Sequence, residues 1–470
     1  MSSSPSTGRR VLIIGSDGMR PDAVTPERMP TYSRLIREGM LFKRFQAAYP
    51  SETRVSMTTL TTGVYPGRHG VIANWLHLPR FGEMGLQTGN HQQLFDYTRE
   101  TGEQVVLSPT LGDRLAAAGM ELGVAGASSP GAGLLWNIRR PRQVINVNTT
   151  YDLPELEAIH RKVGPAPDKG RHRERLEWSV KALLEAALPD PRNRALVLWL
   201  PQPDKASHDH GLGSPEFCEA LGWVDACVAR VLEGIEKRGE EIDIFFISDH
   251  GHSTVDAQGP LSEHLAKACR ERGIDVPFDV TGKMIFAKAP IADEALRELI
   301  AWLKTEPWCG AVLAHHPLAR EWGALPIETL YGPLHHERAP LLIVNPIWSP
   351  ECNEAGVPGI VRFAVGPKSL ATHGNAVPTD LSAFCLGYGP GFKAGAVSEV
   401  PCGIVDIAPT VCHLLGLDRE TGFDGRVLHE GLSGSASLPP PESRFETHGE
   451  GTQRQPIRTA EVNGTRYLLG

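Results

Sequence analysis

The chain has 470 residues, of which 41% are hydrophobic and 22% charged, and its formal net charge is −8 at pH 7. This balance is typical of a globular enzyme. It lacks the overall basic excess of proteins that bind nucleic acid polymers or membrane surfaces. The eight cysteines are scattered and form no CxxC pair, which argues against a zinc ribbon and favours buried thiols over a disulfide framework.

The N-terminal segment MSSSPSTGRR is polar and carries no apolar signal-peptide core. No uninterrupted apolar run reaches the length of about 18 residues that a membrane span needs. The sequence as given therefore predicts a cytoplasmic protein that does not enter a membrane. If a leader was removed, we expect a periplasmic or secreted protein instead.

Apolar runs alternate with helical patterns along the first half of the chain. Strands are predicted at residues 11–14, 121–126, 195–200 and 242–247, and helices at 31–38, 53–62, 110–118, 175–188 and 217–239. Continuous apolar runs are typical of strands buried on both faces of a parallel sheet. Residues 73–106 are predicted to be irregular, and the basic stretch within 139–175 to be a solvated surface loop. The fold prediction is α/β, with a doubly wound, mostly parallel sheet flanked by helices.

The second half of the chain suggests an insertion into this core. We predict an α/β catalytic core at residues 1–252 and 371–430, an inserted smaller α+β subdomain at 253–370, and a linker with a C-terminal hairpin at 431–470. The insertion has strand patterns at 284–287 and 341–344. The Ser- and Pro-rich residues 431–446 are predicted to be a loop, and Asn463-Gly464 predicts a hairpin turn.

Polar side chains occur where predicted strands end. Asp17, Asp204 and the pair Asp249-His250 each follow an apolar run. The carboxyl ends of strands in an open α/β sheet line one crevice, so these groups are expected to converge. His208 lies four residues beyond Asp204 and shares its face if the segment is helical. His373 supplies a third imidazole.

Thr53 begins the predicted helix at 53–62, so its hydroxyl lies where free N–H groups and the helix dipole favour an anion. An isolated threonine at this position is more often only a cap. Its combination with the three aspartates and three histidines makes it a candidate nucleophile. Imidazole and carboxylate ligands suit zinc, with manganese or iron as alternatives.

Six segments carry a resemblance to a known family: IIGSDGMRPD, YPSETRVSMTTLTTGVYPGRHGVIAN, PDKASHDHG, FISDHGH, ATHGN and LGYGPGFKAG. In this order they resemble the alkaline phosphatase superfamily, and within it the type I phosphodiesterase/nucleotide pyrophosphatase family. The resemblance implies two divalent metal ions. One would be held by Asp204, His208 and His373, and the other by Asp17, Asp249, His250 and the Thr53 oxygen.

The same resemblance implies a hydrolase of phosphodiester or pyrophosphate bonds in a small anionic phosphoryl substrate. Thr53 would form a covalent phospho-threonine, and Asn74 would contact a phosphoryl oxygen. Nucleotide-cleaving members carry an aromatic residue directly after the nucleophile, whereas this chain has Arg54, a tentative substrate-binding residue. A second aromatic position is replaced by Ser129, and His252 stands where many relatives have Met. The first two departures weaken the case for a nucleotide.

Other activities stay open as alternatives. A phosphonate (C–P) hydrolase and a phosphomonoesterase belong to the same superfamily, although AGASSPGA at 125–132 lacks the lysine pair of phosphonoacetate hydrolases. A phosphomutase and a non-catalytic metal-binding protein are further alternatives. Sulfatases are disfavoured because the nucleophile segment Thr53-Arg54-Val55-Ser56 does not match their C/S-x-P-x-R pattern.

Overall fold

The structure is a computed structural model that describes residues 8–78, 81, 85–363, 369–417, 421–434 and 441–470. Its strands, in chain order, are β1 (Val11–Ser16), β2 (Met40–Phe42), β3 (Phe45–Gln46), β4 (Trp75–Leu76), β5 (Leu86–Gln87), β6 (Glu121–Gly126), β7 (Val144–Asn146), β8 (Asn193–Leu200), β9 (Asp243–Ile247), β10 (Ser253–Val255), β11 (Phe278–Thr281), β12 (Met284–Ala287), β13 (Cys309–Ala314), β14 (Leu325–Pro326), β15 (Leu342–Pro346), β16 (Trp348–Cys352), β17 (Pro358–Val361), β18 (Ala371–Thr372), β19 (Cys385–Tyr388), β20 (Ala396–Ser398), β21 (Cys402–Gly403), β22 (Ser443–His448), β23 (Ile457–Val462) and β24 (Thr465–Leu468).

The α-helices of the same residues vary in length from a single turn to Pro215–Arg238. They are α1 (Pro30–Glu38), α2 (Thr53–Thr62), α3 (Pro66–His69), α4 (His91–Thr101), α5 (Leu111–Ala117), α6 (Pro130–Leu135), α7 (Pro154–Val163), α8 (His172–Ala182), α9 (Asp204–His210), α10 (Pro215–Arg238), α11 (Leu261–Arg272), α12 (Asp293–Thr305), α13 (Glu328–Tyr331), α14 (Pro378–Leu381) and α15 (Ile407–Leu414). Within the described ranges, none of these helices has both the length and the apolar character needed to cross a bilayer.

The central sheet of the described residues has the strand order β20-β2-β19-β9-β1-β8-β6-β7. Strands β9, β1, β8, β6 and β7 run parallel, and β19 pairs antiparallel with β9 and β2. Every residue of β1 is buried, as expected for a strand covered on both faces. The prediction of a doubly wound, mostly parallel sheet is confirmed, and so are the predicted strands and helices that build it.

Two stretches predicted to be unstructured contain regular elements. Helix α4 lies in the part of 73–106 that the structure describes, and β7 and α7 lie within 139–175, so both predictions were wrong there. The Asn90 side chain caps α4 by accepting the N–H groups of Gln92 and Gln93, and Gly102 ends the helix with a φ of 71°. Local caps therefore define a helix whose apolar pattern is weak. The basic side chains are exposed as predicted at Lys162, Lys169, Arg171 and Arg173, whereas Arg175 is buried.

The C-terminal segment forms an antiparallel sheet of β22, β23 and β24. The predicted hairpin is confirmed, with Asn463 at a φ of 50° and Gly464 at 84°. The loop prediction for 431–446 was wrong at its end, because β22 begins at Ser443 and pairs along its whole length with β23. Residues 435–440 of that stretch lie outside the described part of the chain. None of the eight cysteines, all of which lie in the described ranges, forms a disulfide, and most of them are buried.

Residues 253–363 carry an α+β arrangement of their own. Strands β11 to β15 form a sheet in the order β11-β12-β15-β13-β14, and α11 and α12 pack near it around an apolar cluster that includes Leu299, Val312 and Leu342. A further sheet joins β16, β17, β10 and β18. This sheet places β10 next to β18.

Candidate metal centre

Loops at the carboxyl edge of the central sheet hold the three aspartates together. The Asp17 N–H donates to the Leu200 carbonyl at 2.9 Å, and the Asp204 N–H donates to the Asp17 carbonyl at 3.0 Å. The Gly18 N–H donates to Asp249 Oδ1 at 3.0 Å. The ends of β1, β8 and β9 are therefore tied to one another, as the parallel topology predicts.

Pairing between β10 and β18 gathers three of the histidines. Ser253 lies opposite Thr372 in an antiparallel register, so His252 and His373 become neighbours. The Leu370 N–H, just before β18, donates to the His208 carbonyl at 3.1 Å. The ring centres of His208, His252 and His373 consequently lie 5.0 to 5.2 Å apart in every pair.

The first group of donor atoms surrounds Asp204 Oδ1. This oxygen lies 3.3 Å from His208 Nε2, 3.5 Å from His373 Nε2 and 3.1 Å from His252 Nε2. The structure thus brings together Asp204, His208 and His373, the residues that the resemblance assigns to one ion. It adds His252, a departure from the family pattern to which the sequence analysis assigned no role. The signal was the second imidazole in the segment Asp249-His250-Gly251-His252.

The second group of donor atoms surrounds Thr53. Its Oγ1 donates to Asp17 Oδ1 at 3.3 Å and lies 3.4 Å from His250 Nε2. His250 Nε2 in turn lies 3.3 Å from Asp249 Oδ2 and 3.6 Å from Asp17 Oδ1. All members of the second predicted set are therefore close together. The His250 and His373 rings stack with centres 3.8 Å apart, which places the two groups side by side.

The four histidines share one orientation. In each of them Nδ1 faces a backbone carbonyl, and because a carbonyl only accepts, Nδ1 carries the proton and Nε2 presents its lone pair to the site. The carbonyl partners are Ala371 at 2.8 Å for His208, Gly251 at 3.0 Å for His250, Gly18 at 3.1 Å for His252 and Ser51 at 2.7 Å for His373. This is the usual arrangement of imidazoles that bind a metal.

Burial and crowding set the charge states of the site. Burial raises the pKa of Asp249 to about 8, and burial together with the Asp249 and Asp204 carboxylates holds the pKa of Asp17 well above its usual range. Burial lowers the pKa of His250 to about 3, which keeps this ring neutral.

The donor set fits a divalent cation. Among the described residues, Asp204 Oδ1, Asp249 Oδ2 and His252 Nε2 are buried atoms without a hydrogen-bond partner. Leaving such atoms unpaired in a dry interior is costly, and a shared cation satisfies several at once. Two groups of ligand atoms meet the spacing that a metal requires: Asp204, His250, His252 and His373 form one, and Asp17, Asp249 and His250 form the other.

Helix α2 and Asn74 build the side of the site that faces an incoming oxygen. Thr53 is the first residue of α2, and Glu52 occupies the N-cap position before it. Asn74 Oδ1 accepts the Arg54 backbone N–H at 3.3 Å, and the Asn74 N–H donates to Glu52 Oε2 at 2.6 Å. With Oδ1 engaged in this way, Asn74 Nδ2 is the donor that can meet a substrate oxygen. The glutamate was not anticipated from the sequence.

Arg54 and Ser129 lie on either side of Gly89 beside this helix. The Arg54 Nε donates to Thr88 Oγ1 at 3.0 Å. A Cβ placed on Gly89 would lie 3.2 Å from Ser129 Oγ and 3.4 Å from Arg54 Cζ. Burial lowers the pKa of the Arg54 guanidinium, and the nearby carboxylates of Glu52, Asp17 and Asp204 oppose that shift. The two residues that depart from the aromatic pattern therefore share one wall of the site.

More than half of the chain matches a known protein family. The type I phosphodiesterase/nucleotide pyrophosphatase family matches residues 11–328. Among curated proteins, rat ectonucleotide pyrophosphatase/phosphodiesterase family member 1 is 23% identical over 86% of this chain and 40% of its own length. The human protein of that name is 24% identical over 51% of this chain and 23% of its own length. The mouse bis(5'-adenosyl)-triphosphatase enpp4 is 22% identical over 88% of this chain and 79% of its own length.

The chain thus spans less than half the length of the first two of these relatives. Among solved structures, murine ectonucleotide pyrophosphatase/phosphodiesterase 5 superposes with a TM-score of 0.62 at 17% identity, covering 90% of this chain and all of that one. An inactive form of the same protein in complex with AMP gives a TM-score of 0.60 at 17% identity, covering 88% of this chain and 96% of that one. These structures share the fold, and the family match covers more than half of the sequence. The chain belongs to the type I phosphodiesterase/nucleotide pyrophosphatase family.

Proposed function

We propose that this protein is a two-metal hydrolase that cleaves phosphodiester or pyrophosphate bonds in small substrates through a covalent phospho-threonine at Thr53. One observation carries the proposal. The Thr53 hydroxyl, at the start of α2, lies 3.3 Å from Asp17 Oδ1 and 3.4 Å from His250 Nε2, inside a group of potential metal ligands. Family membership supports the reaction class.

The family depends on divalent metal ions, and the Asp and His cluster of this chain can hold them. We assign one ion to Asp204, His208 and His373, and the other to Asp17, Asp249, His250 and the Thr53 oxygen. Zinc is the metal we propose, because the ligands combine imidazole nitrogen with carboxylate oxygen. Bound there, two such ions supply Lewis-acid stabilisation of negative charge on oxygen.

The residues of the chain then perform two displacements at phosphorus. In the first, Thr53 Oγ forms a bond to phosphorus and gives up its proton to solvent, and the bond to the leaving oxygen breaks, so that this oxygen takes the electron pair. In the second, a water oxygen bonds to phosphorus, the Thr53 Oγ–phosphorus bond breaks, and the proton lost by the water restores the Thr53 hydroxyl. Asn74 Nδ2 and the N-terminus of α2 donate to the equatorial oxygens, where charge accumulates. We place these steps in a catalytic core of residues 1–252 and 371–430, with 253–370 as an inserted subdomain.

Substrate identity is the second part of the proposal. The names of the relatives, among them a bis(5'-adenosyl)-triphosphatase and venom phosphodiesterases, and the AMP complex of the structural neighbour support a phosphodiester or pyrophosphate bond in a nucleotide-like molecule. The wall formed by Arg54 and Ser129 supports an anionic rather than a stacked partner, because a guanidinium pairs with carboxylate or phosphate. We therefore propose a small phosphoryl substrate that carries a second anionic group.

The Thr53→Ala variant tests the mechanism. We expect turnover to fall at least about 10³-fold while the bound metal, measured by elemental analysis, stays at the wild-type level, because the nucleophile is lost and most ligands stay. Asp249→Ala, in contrast, is expected to reduce bound metal. Protein prepared without chelators is the control. Wild-type turnover in the threonine variant would contradict the assignment of the nucleophile.

A substrate panel tests the reaction class. Aryl phosphate diesters and dinucleoside polyphosphates are expected to turn over faster than aryl phosphate monoesters and phosphonates. Preference for a monoester or a phosphonate would replace the proposal with the corresponding activity of the superfamily. Among the diesters and pyrophosphates, we expect the lowest KM for a substrate with an additional anionic group. In Arg54→Ala that advantage in KM should disappear, while neutral aryl diesters are affected less.

A further inference from the structure

His252 contacts the first group of ligands more closely than two of its proposed members do. Its Nε2 lies 3.1 Å from Asp204 Oδ1, compared with 3.3 Å for His208 and 3.5 Å for His373. The ring is fully buried. The ring centres of the three imidazoles are almost equally far from one another, at 5.0 to 5.2 Å.

The short contact between His252 and Asp204 is not a hydrogen bond. Neither His252 Nε2 nor Asp204 Oδ1 has a hydrogen-bond partner among the described residues, although the two atoms are in contact. The Gly18 carbonyl lies 3.1 Å from His252 Nδ1 and so holds the proton on that nitrogen. Nε2 thus faces a carboxylate oxygen at 3.1 Å with no hydrogen bond between them, an arrangement that a cation bound by both atoms would satisfy.

The distances match two ligands of one ion. Ligands at 2.0 to 2.1 Å from a tetrahedral zinc are separated from one another by about 3.3 Å. The three distances from Asp204 Oδ1 to an Nε2 atom, 3.1, 3.3 and 3.5 Å, bracket that value. His252 also shares with the other three site histidines the Nδ1 contact to a backbone carbonyl.

A buried histidine elsewhere in the protein behaves differently. The Nδ1 of His69 accepts the Val71 N–H at 3.1 Å, and its Nε2 meets Thr59 Oγ1 at 3.0 Å. Both nitrogens of that ring are satisfied by protein groups. His69 therefore has no nitrogen left to bind a metal, whereas His252 Nε2 has no hydrogen-bond partner among the described residues.

We propose that His252 is a direct ligand of the ion held by Asp204, His208 and His373, so that this chain builds a site of three imidazoles and one carboxylate. The inference rests on the proposed metal site and extends it by one ligand. Three imidazoles and a carboxylate complete a tetrahedral zinc shell, whereas two imidazoles and a carboxylate leave a position open. We therefore expect four ligands to bind the ion more tightly than three would. The ion would then have to add a fifth ligand to accept a substrate oxygen.

The backbone around His252 supports this role. Its neighbour in space, Gly18, has a φ of 64°, and a Cβ there would lie 2.3 Å from His252 Cε1. Only glycine allows the Gly18 carbonyl to orient the ring at this distance. The pairing of Ser253 with Thr372 fixes the other side, because it holds His252 beside His373.

Diffraction from zinc-loaded wild-type crystals, recorded at the zinc absorption edge, tests the proposal directly. We expect a zinc ion about 2.0–2.1 Å from His252 Nε2. An ion bound by Asp204, His208 and His373 with His252 Nε2 more than about 3 Å away would overturn this inference and leave the proposed function intact. Absence of an ion from both groups would overturn the proposed function as well.

Zinc affinity provides a readout that does not depend on turnover. His252→Gln is compared with wild type by competition against a chromophoric chelator, and we expect one of the two ions to bind more than about 100-fold more weakly. Loss of an outer contact typically weakens binding by only about 10–100-fold. His160→Gln, which changes a ring packed against Trp178 outside the site, is the matched control and should bind both ions like wild type. A loss below about 100-fold would contradict direct ligation.

Discussion

At the scale of single residues, the proposed mechanism assigns no general base to Thr53. Its neighbours instead provide metal ligands and hydrogen-bond donors. Thr53 Oγ1 contacts a carboxylate and an imidazole that both belong to the proposed metal groups. In the proposed reaction, α2 and Asn74 provide the donors for the phosphoryl oxygens. Asn74 Oδ1 accepts the Arg54 N–H, so rotation of the amide would break that contact, and Nδ2 is the atom that we propose donates to substrate.

Asn74→Ala and Asn74→Asp separate donation to substrate from support of the helix. The aspartate keeps an acceptor for the Arg54 N–H but replaces the Nδ2 donor with a negative oxygen. For both variants we expect kcat/KM to fall by about 10²–10³-fold, the usual effect of removing one donor to a developing oxyanion. Metal content, measured in parallel, should not change. Wild-type kcat/KM in Asn74→Asp would exclude Nδ2 as a contact in the transition state.

At the scale of elements, neighbouring strands support the metal ligands through their own side chains. Trp199 of β8 lies opposite Gly15 of β1, and its Nε1 donates to Asp17 Oδ2 at 3.2 Å. A Cβ on Gly15 would come within 2.1 Å of the Trp199 ring, so the indole occupies the space that glycine leaves. One Asp17 oxygen thus faces Thr53 and the other is held by the sheet.

Trp199→Phe is expected to weaken the ion that Asp17 and Asp249 hold. The substitution keeps most of the buried aromatic surface but removes the donor that orients the Asp17 carboxylate. Loss of such a contact typically lowers metal affinity by about 10–100-fold. Trp178→Phe is the matched control, because its Nε1 donates to the Gly164 carbonyl at 2.9 Å, away from the site. Equal metal affinities of the two variants, measured by chelator competition, would contradict a role for the indole N–H.

The sequence predicted the elements whose signals are local. Strands β1, β8 and β9 are continuous apolar runs because both of their faces are buried, and α2 ends at Gly63 with a φ of 67°. Helix α4, which was not predicted, is indicated in the sequence by its N-cap residue Asn90 and its C-cap residue Gly102 rather than by an apolar pattern. The ligand sets assigned by resemblance do converge in space. Which residues bind and react stays a prediction until the variants are measured.

The position of His252 could not be predicted in the same way. It depends on the pairing of Ser253 with Thr372, two residues that are far apart in sequence. The carbonyl that orients the ring comes from Gly18, far away in sequence. Neither contact can be predicted from the pattern within one segment. The sequence shows that the DHGH segment contains potential metal ligands, but the contacts of its last residue, His252, are known only from the folded structure.

At the scale of the whole molecule, several histidines are buried in a neutral form. Burial lowers the pKa of His69 well below its ordinary value, and the neighbouring His336 and Arg338 add to the effect. Burial also lowers the pKa of the half-buried His160 and His336. These rings therefore take up fewer protons in the folded protein than in the unfolded chain once the pH falls below about 6.5, the ordinary histidine pKa.

We expect the contribution of His69 to the free energy of unfolding to fall as the pH decreases from 7.5 to 5.5. Below about 6.5 the unfolded chain binds protons that His69 in the folded state does not, and stability rises with pH wherever the unfolded state binds more protons. His69→Asn keeps an acceptor for the Val71 N–H but cannot titrate, so the difference in stability between wild type and this variant should shrink toward pH 5.5. Urea unfolding at several pH values measures it. His335→Asn, at an exposed position, is the matched control and should follow wild type. If the His69→Asn curve also runs parallel to that of wild type throughout, protonation of His69 does not contribute to acid destabilisation.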